Sequence, residues 1–298
     1  MNDQTVFEIN EAGSLQSYNG PAGEIVLPEE VKAIDGAPVF CDIWDPIELT
    51  LSPNMRCSAS ELLSQGLTVL HIPAGTDFIC SAFAPNHSSF YAMLKEIQVD
   101  SANASCTSVD GILYDKEVTA LYSCPAAHEG AVVIPETVRK IMPHAFDGCK
   151  KLTEIVIPAS VSSIGERAFM DCTALKKIVL QGKDTIIEPE AFLRCSKITT
   201  AGLQGTEKKG FGLEFVWTNS IPENAFSGLT KLKKVVLPET VKSIGKNAFK
   251  GCKSLESINL PENVKCDKKT LRIAKTFRCK GERVPWQGKL SLSFSSAV

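Results

Sequence analysis

The stretch IPASVSSIGERAF at Ile157 to Phe169 returns as LPETVKSIGKNAF at Leu237 to Phe249, with the apolar letters in place and the polar letters between them changed. An Ala-Phe pair marks each copy. It recurs at Ala145-Phe146, Ala168-Phe169, Ala191-Phe192, Ala225-Phe226 and Ala248-Phe249, in steps of 23, 23, 34 and 23 residues. Four places before each Ala stands Ile141, Ile164, Ile187, Ile221 or Ile244. Three places after each Phe comes Cys149, Cys172, Cys195, Leu229 or Cys252, and three further on Leu152, Leu175, Ile198, Leu232 or Leu255. A period of 23 with one insertion of 11 residues accounts for every one of these columns.

Each copy reads as one small unit of structure. In LTEIVI at Leu152 to Ile157 the alternation turns Leu152, Ile155 and Ile157 inward and Glu154 and Val156 outward, the pattern of a half-buried strand. Pro158 has no N–H to give to a ladder and ends it. The Ala-Phe to Cys segment predicts a single helical turn, with Ala168 and Cys172 four apart on one face. One copy cannot bury these faces alone, so copies must stack, each strand pairing in parallel with the next at about 4.8 Å. Identical columns then become ladders of like side chains along one core, and the expected fold is an α/β repeat solenoid of roughly ten coils.

The whole-chain composition agrees with a soluble, core-forming protein: 298 residues, 44% hydrophobic, 22% charged, net charge −2. The first residues, MNDQTVFEIN, carry neither a basic region nor an apolar run, and nowhere do 18 apolar residues follow one another. No signal peptide and no membrane span are therefore expected.

The strand pattern LxxIxI resembles that of leucine-rich repeats. The 23-residue form with IP, AF and C is similar to the BspA-like class found in many bacterial surface proteins and some protozoa. VDGILYDKEVTALYSCPA at Val109 to Ala126, followed by VVIPETVRKIMPHAF, resembles the segment that commonly interrupts such arrays. The match is tight from Val132 to Glu262 and loose from Glu24 to Ala131. The resemblance implies a right-handed superhelix with a parallel concave sheet and short turns or single-turn helices on the convex side. It implies a non-catalytic binding or adhesion module at the cell surface or secreted, recognising a protein such as a host matrix or surface protein ahead of a glycan. An intracellular scaffold or regulatory repeat protein is the alternative, favoured by the absent signal peptide, by free thiols and by Met1 if it is the native start. A monomer with no nucleic-acid partner is expected.

The layout expected is an N-terminal cap at 1–23, degenerate repeats with the DGILY insert at 24–131, regular repeats at 132–262 and a basic C-terminal cap at 263–298. Before residue 132 the register is open: IVLPEEVKAI at 25–34 and VLHIPAGTDFICSAF at 69–83 keep the IP and AF letters, whereas VFCDIWDPIELTLSP at 39–53 does not. In DGILYDKE the Asp-Gly pair signals a hairpin or a bulging coil.

The 11 cysteines include four in one repeat column that Leu229 also fills, so Cys149, Cys172, Cys195 and Cys252 are expected to be buried, reduced thiols. There is no CxxC and no His at ligand spacing, which argues against zinc. His71, His87, His128 and His144 are scattered, and no GxSxG, HExxH, Walker loop or GxGxxG is present, so no catalytic, cofactor or metal residues are assigned. Cys80 with His71, or Asp110 near Asp115, can be imagined as reactive pairs, but polar residues in such loops ordinarily satisfy turns.

Three surfaces are candidates for binding. On the outward strand face stand Glu154 and Val156, Lys177 and Val179, Thr200 and Gly202, Lys234 and Val236, and Ser257 and Asn259, an expected row of exposed valines beside charge. The insertion in GLQGTEKKGFGLEFVWTNS at 202–220 is read as a loop on one face that brings Phe211, Phe215 and Trp217 beside Lys208 and Lys209 as a contact patch, or as an irregular coil whose core Phe215 and Trp217 fill, the second being the commoner outcome. The segment 265–289 carries a net charge of +7, with Leu271, Ala274 and Phe277 at helical spacing, and reads as an amphipathic cap.

Overall fold

A computed structural model of the chain describes residues 6–34, 39–80, 91–182, 185–203, 212–215, 220–221, 223, 225–237, 240–261, 264–266, 276–279 and 282–285. It is a parallel β-solenoid of about nine coils, close to the roughly ten expected. Two compact units divide it: Met1–His128 with His144–Cys149, and Glu129–Pro143 with Lys150–Val298.

In the first unit the chain enters as an antiparallel hairpin, β1 (Phe7–Ile9) and β2 (Ser14–Tyr18), and then coils through β3 (Gly23–Val26), β4 (Ala33–Ile34), β5 (Ile47–Thr50), β6 (Arg56–Ser58), β7 (Leu67–Ile72), β8 (Asp77–Ile79) and β9 (Glu96–Val99). Strands β3, β5, β7 and β9 make a four-stranded parallel main sheet, while β2–β4 and β6–β8 pair on another side of the coil. The coils give way to an antiparallel meander of β10 (Cys106–Val109), β11 (Ile112–Asp115) and β12 (Ala120–Ser123). Asp110 (φ 51°) and Gly111 (φ 73°) form its first turn, with Val109 opposite Ile112, so the Asp-Gly signal is a hairpin. Asp115 accepts hydrogen bonds from the backbone N–H of Thr119 and Ala120 and so shapes the next turn.

In the second unit the main strands are β13 (Gly130–Val133), β15 (Leu152–Ile157), β17 (Lys177–Leu180), β19 (Thr200–Leu203), β20 (Gly212–Phe215), β22 (Lys234–Val236) and β24 (Ser257–Leu260). Between them lie two-residue strands: β14 (Lys140–Ile141), β16 (Ser163–Ile164), β18 (Ile186–Ile187), β21 (Ser220–Ile221), β23 (Ser243–Ile244) and β25 (Lys265–Cys266). These short strands form their own parallel ladders, β14-β16-β18 and β21-β23-β25, so each regular coil has two hydrogen-bonded sides. The isoleucine column of the sequence is this second ladder. Leu152, Ile155 and Ile157 are fully buried, as the alternation requires.

The single helical turns expected at Ala-Phe-x-x-Cys are not what forms. Among the described residues the one helical element is a 3₁₀ turn at Ala59–Glu61. The reason lies in where the backbone N–H groups go. Arg167, Phe169 and Asp171 donate to the carbonyls of Pro189, Ala191 and Leu193 in the next coil, at 3.3, 2.8 and 2.9 Å, instead of four residues back along their own chain. That alternation needs left-handed backbone on either side of the Ala-Phe pair, and φ is positive at Arg167 and Asp171, Glu190 and Arg194, and Asn247 and Gly251. At the glycine positions this costs little; where charged residues stand, ion pairs accompany it, Arg167 to Glu190 at 2.6 Å and Arg194 to Asp171. The core side of the turns is a stack of rings, Phe169 on Phe192 with centroids 5.4 Å apart and Phe226 on Phe249 at 5.3 Å.

Two further expectations are corrected. The insertion is not only a loop: Gly212–Phe215 is strand β20, and it lies between β17 and β19, paired in parallel with both. The segment expected as an amphipathic C-terminal cap contains a β-hairpin of β26 (Thr276–Cys279) and β27 (Glu282–Pro285), antiparallel to one another, with β26 in parallel on β24. Phe277 is therefore a strand residue; Leu271 and Ala274 lie outside the described residues.

Candidate functional site

The parallel register of the second unit lines up the outward side chains of its main sheet. Ala131, Glu154 and Lys177 stand side by side in one column, and Val133, Val156 and Val179 in the next. Beyond the inserted strand, Thr200 and Lys234 pair, Lys234 and Ser257 continue that column, and Val236 and Asn259 stand beside it. Glu154 and Lys234 are exposed; Lys177, Val156 and Val236 are half-buried.

The valine row is uneven. Val133, on the first strand of the ladder, is 71% exposed, whereas Val179 is 7% exposed and does not project as expected. Val179 has a neighbouring strand on each side, with Val156 opposite it in β15 and Glu214 in β20. The inserted strand gives β17 a neighbour that the letters do not announce. Val133 was missed, although it occupies the same column one period before Val156. Phe211 and Trp217 lie outside the described residues.

Across β22 and β24 the outward face carries a groove of about 410 Å³, lined by Lys234, Val236, Ser257 and Asn259 over Val235. An ammonium, a hydroxyl, an amide and an aliphatic side chain thus share one shallow opening. The chemistry available is salt bridging and hydrogen bonding around a small apolar floor, suited to a polypeptide segment or a sugar.

The first unit has an outward face of different character. Glu24, Glu48, Val69 and Glu96 form one column, and Val26, Thr50, His71 and Gln98 the other. The three glutamates are exposed, and a second groove of about 310 Å³ is bordered by His71, Pro73, Gln98, Val99 and Asp100. His71 is thus an outward strand residue, and Cys80 Sγ donates to the Phe78 carbonyl at 3.6 Å. Trp44 is 67% exposed at the turn that leads into β5.

The thiols of the repeat column sit on the opposite side, fully buried. Cys195 Sγ donates to the Phe169 carbonyl at 3.0 Å and Cys252 Sγ to that of Phe226 at 3.2 Å, one coil back. Burial pushes the Cys252 thiol up to about 12, which removes it from thiolate chemistry near neutrality. Among the described residues no three His, Cys, Asp or Glu side chains stand close enough to hold a metal ion, and no helix is long and apolar enough to cross a membrane.

Residues 117–209 and 218–271 match the family model described as "BspA type Leucine rich repeat region", in six copies. No curated protein matches the chain. A leucine-rich repeat protein from Eubacterium ventriosum is similar in structure, with a TM-score of 0.53 and 22% identity over 83% of this chain and 69% of that one. The pneumococcal vaccine antigen PcpA is similar at a TM-score of 0.53 and 19% identity over 88% of this chain and 68% of its own.

Proposed function

Because the chain is built on BspA-type leucine-rich repeats, we propose that it is a non-catalytic binding or adhesion module whose ligand is a protein, with a glycan as second choice. The observation that carries this reading is the outward face of the second unit, where Glu154, Lys177 and Lys234 flank Val133, Val156 and Val236 and the Lys234–Asn259 groove opens between strands. Regular strand pairing already satisfies the backbone there, and charged and aliphatic side chains stand together on that face. Val179 contributes to the floor of the face, and Phe211 and Trp217 of the insertion are proposed as further partner-binding residues. A place at the cell surface or outside the cell follows from this role. The buried free thiols also suit an intracellular scaffold, which is the second reading.

The test is retention of solubilised extracellular-matrix proteins, and separately of a glycan array, on the immobilised chain. The variant Lys177→Glu with Lys234→Glu reverses the charge without touching an inward column. Loss of a retained protein with unchanged melting supports the reading. Undiminished retention by the variant moves the site elsewhere, and retention of glycans alone favours the second ligand class.

A further inference from the structure

The charge of the chain is divided. Residues 1–128 hold 4 of its 32 Lys and Arg and 17 of its 34 Asp and Glu, a net −13, so the remainder carries +11. Six of the lysines stand on one bend of the second unit, where each coil leaves its Ala-Phe turn and enters the main strand. The bend closes in the same way from coil to coil: the backbone N–H of Leu175 donates to the Cys172 carbonyl at 3.1 Å, Ile198 to Cys195 at 3.3 Å, Leu232 to Leu229 at 3.1 Å and Leu255 to Cys252 at 3.1 Å. Of the residues these turns enclose, Lys197, Lys231 and Lys253 are exposed, and Lys150 is exposed at the same place before β15. One step nearer the strand the coils are joined directly. The N–H of Lys176 donates to the Thr153 carbonyl at 2.8 Å and that of Lys233 to the Thr199 carbonyl at 2.7 Å, with both lysines exposed.

The six form a narrow row. Strands β15, β17, β20, β19, β22 and β24 lie side by side in that order, so the row from Lys150 to Lys253 runs across the coils for about 24 Å at about 4.8 Å per strand. Among the described residues no ion pair involves any of the six, whereas the neighbouring Lys151 is held by Glu129 at 2.5 Å. The acids beside the row are Glu154 and Glu256. On the turn side, charges of both signs are paired, Arg167 with Glu190 at 2.6 Å and Arg194 with Asp171; on the strand side the aliphatic column of Val156 and Val179 begins. The turn places not taken by lysine are mostly hydroxyls: Thr173, Ser196, Thr230 and Ser254.

This composition selects among anionic partners. Unpaired bases need aromatic faces to stack on, and none stands in the row. A lipid surface needs a broad basic face, and this one is bounded on both sides. Lysines on flexible stems, interleaved with hydroxyls, suit point charges strung along a hydroxylated polymer. We propose that Lys150, Lys176, Lys197, Lys231, Lys233 and Lys253 form a docking edge for a linear sulfated polysaccharide laid across the coils. None of the six belongs to the strand face of the proposed function, so either site can fail without the other.

The probe is heparin on the full unsubstituted chain. Lysines are acetylated briefly with and without a heparin oligosaccharide, and the modified sites are read by peptide mass spectrometry. The expected result is protection of the six, while the exposed Lys32 and Lys95 of the first unit and Lys242 and Lys246 near β23 react as before. Retention on immobilised heparin should fall as salt is added, and Lys176→Glu with Lys197→Glu, Lys231→Glu and Lys233→Glu should weaken it at least about tenfold at unchanged melting. Undiminished acetylation of the six under heparin would overturn the proposal whether or not the variant folds, as would protection of Lys242 and Lys246 in their place. Equal protection by double-stranded DNA or by polyglutamate would overturn the sulfated sugar as the occupant.

Discussion

In the second unit the space between the main sheet and the turns is filled by repetition: Phe169 lies on Phe192 and Phe226 on Phe249, with Ala168, Ala191, Ala225 and Ala248 fully buried beside them. In the first unit the same kind of coil is filled by unlike residues, Phe40, Met55, Leu62, Phe78 and Tyr91, and one corner of it is held by polar side chains. There Ser52 Oγ donates to the Glu29 carbonyl at 3.3 Å, Thr76 Oγ1 to the Ser52 carbonyl at 2.8 Å, and Asn103 Nδ2 to the Thr76 carbonyl at 2.9 Å. Each bond reaches one coil back, so a buried polar ladder climbs the unit. The comparison teaches that a parallel coil demands a filled core and satisfied corners, and that repetition of letters is only one way to supply them.

The largest effect should come from breaking the repetitive side. Phe169→Ala removes a fully buried ring from a stack between coils that cannot collapse independently, and should cost about 3–5 kcal/mol in denaturant unfolding. A loss below about 1 kcal/mol would mean that the ring columns are as tolerant as the mixed packing of the first unit.

The polar ladder should come next. Asn103→Ala leaves the carbonyls of Pro73 and Thr76 and the N–H groups of Ser105 and Cys106 without their partner, and should cost about 2–3 kcal/mol. Thr76→Val, nearly the same shape, removes one donor and should cost about 1 kcal/mol. Equal melting temperatures for wild type and both variants would show that the first unit stands on its apolar filling alone.

The smallest effect concerns the left-handed turns. Asp171→Gly relieves about 1 kcal/mol of backbone strain at φ 58° and forfeits the partly exposed pair with Arg194, worth about as much. The net change should lie within about 0.5 kcal/mol by thermal melting. A loss above about 2 kcal/mol would make that ion pair, and not the inter-coil backbone bonds, the tie on this side.

This contrast also explains what the letters revealed. The apolar columns Ile141 to Ile244 and Leu152 to Leu255 were legible because a 23-residue period repeats them, and the Asp110-Gly111 turn because its dipeptide is specific. The helical turns were misread because Ala168 and Cys172 at a spacing of four suit a helix as well as a turn, and only the N–H destinations separate the two. The polar ladder was invisible because Ser52, Thr76 and Asn103 share no letter and are spaced unevenly. On the outward face of the second unit, the placing of Glu154, Val156, Lys177 and Lys234 follows from alternation, whereas the burial of Val179 does not. The glutamate column at Glu24, Glu48 and Glu96 needed a register that only the paired strands supply.

The central claim is that both units are closed coils with a filled interior into which seven of the nine described cysteines point, and the chain carries its own probes of it. Reduced, folded protein is treated briefly with N-ethylmaleimide, and labelling is read cysteine by cysteine. The account predicts label on the partly exposed Cys41 and Cys80, with Cys57, Cys106, Cys124, Cys149, Cys172, Cys195 and Cys252 unlabelled until denaturant is added. Rapid labelling of Cys149, Cys172, Cys195 and Cys252 in the folded chain would contradict it.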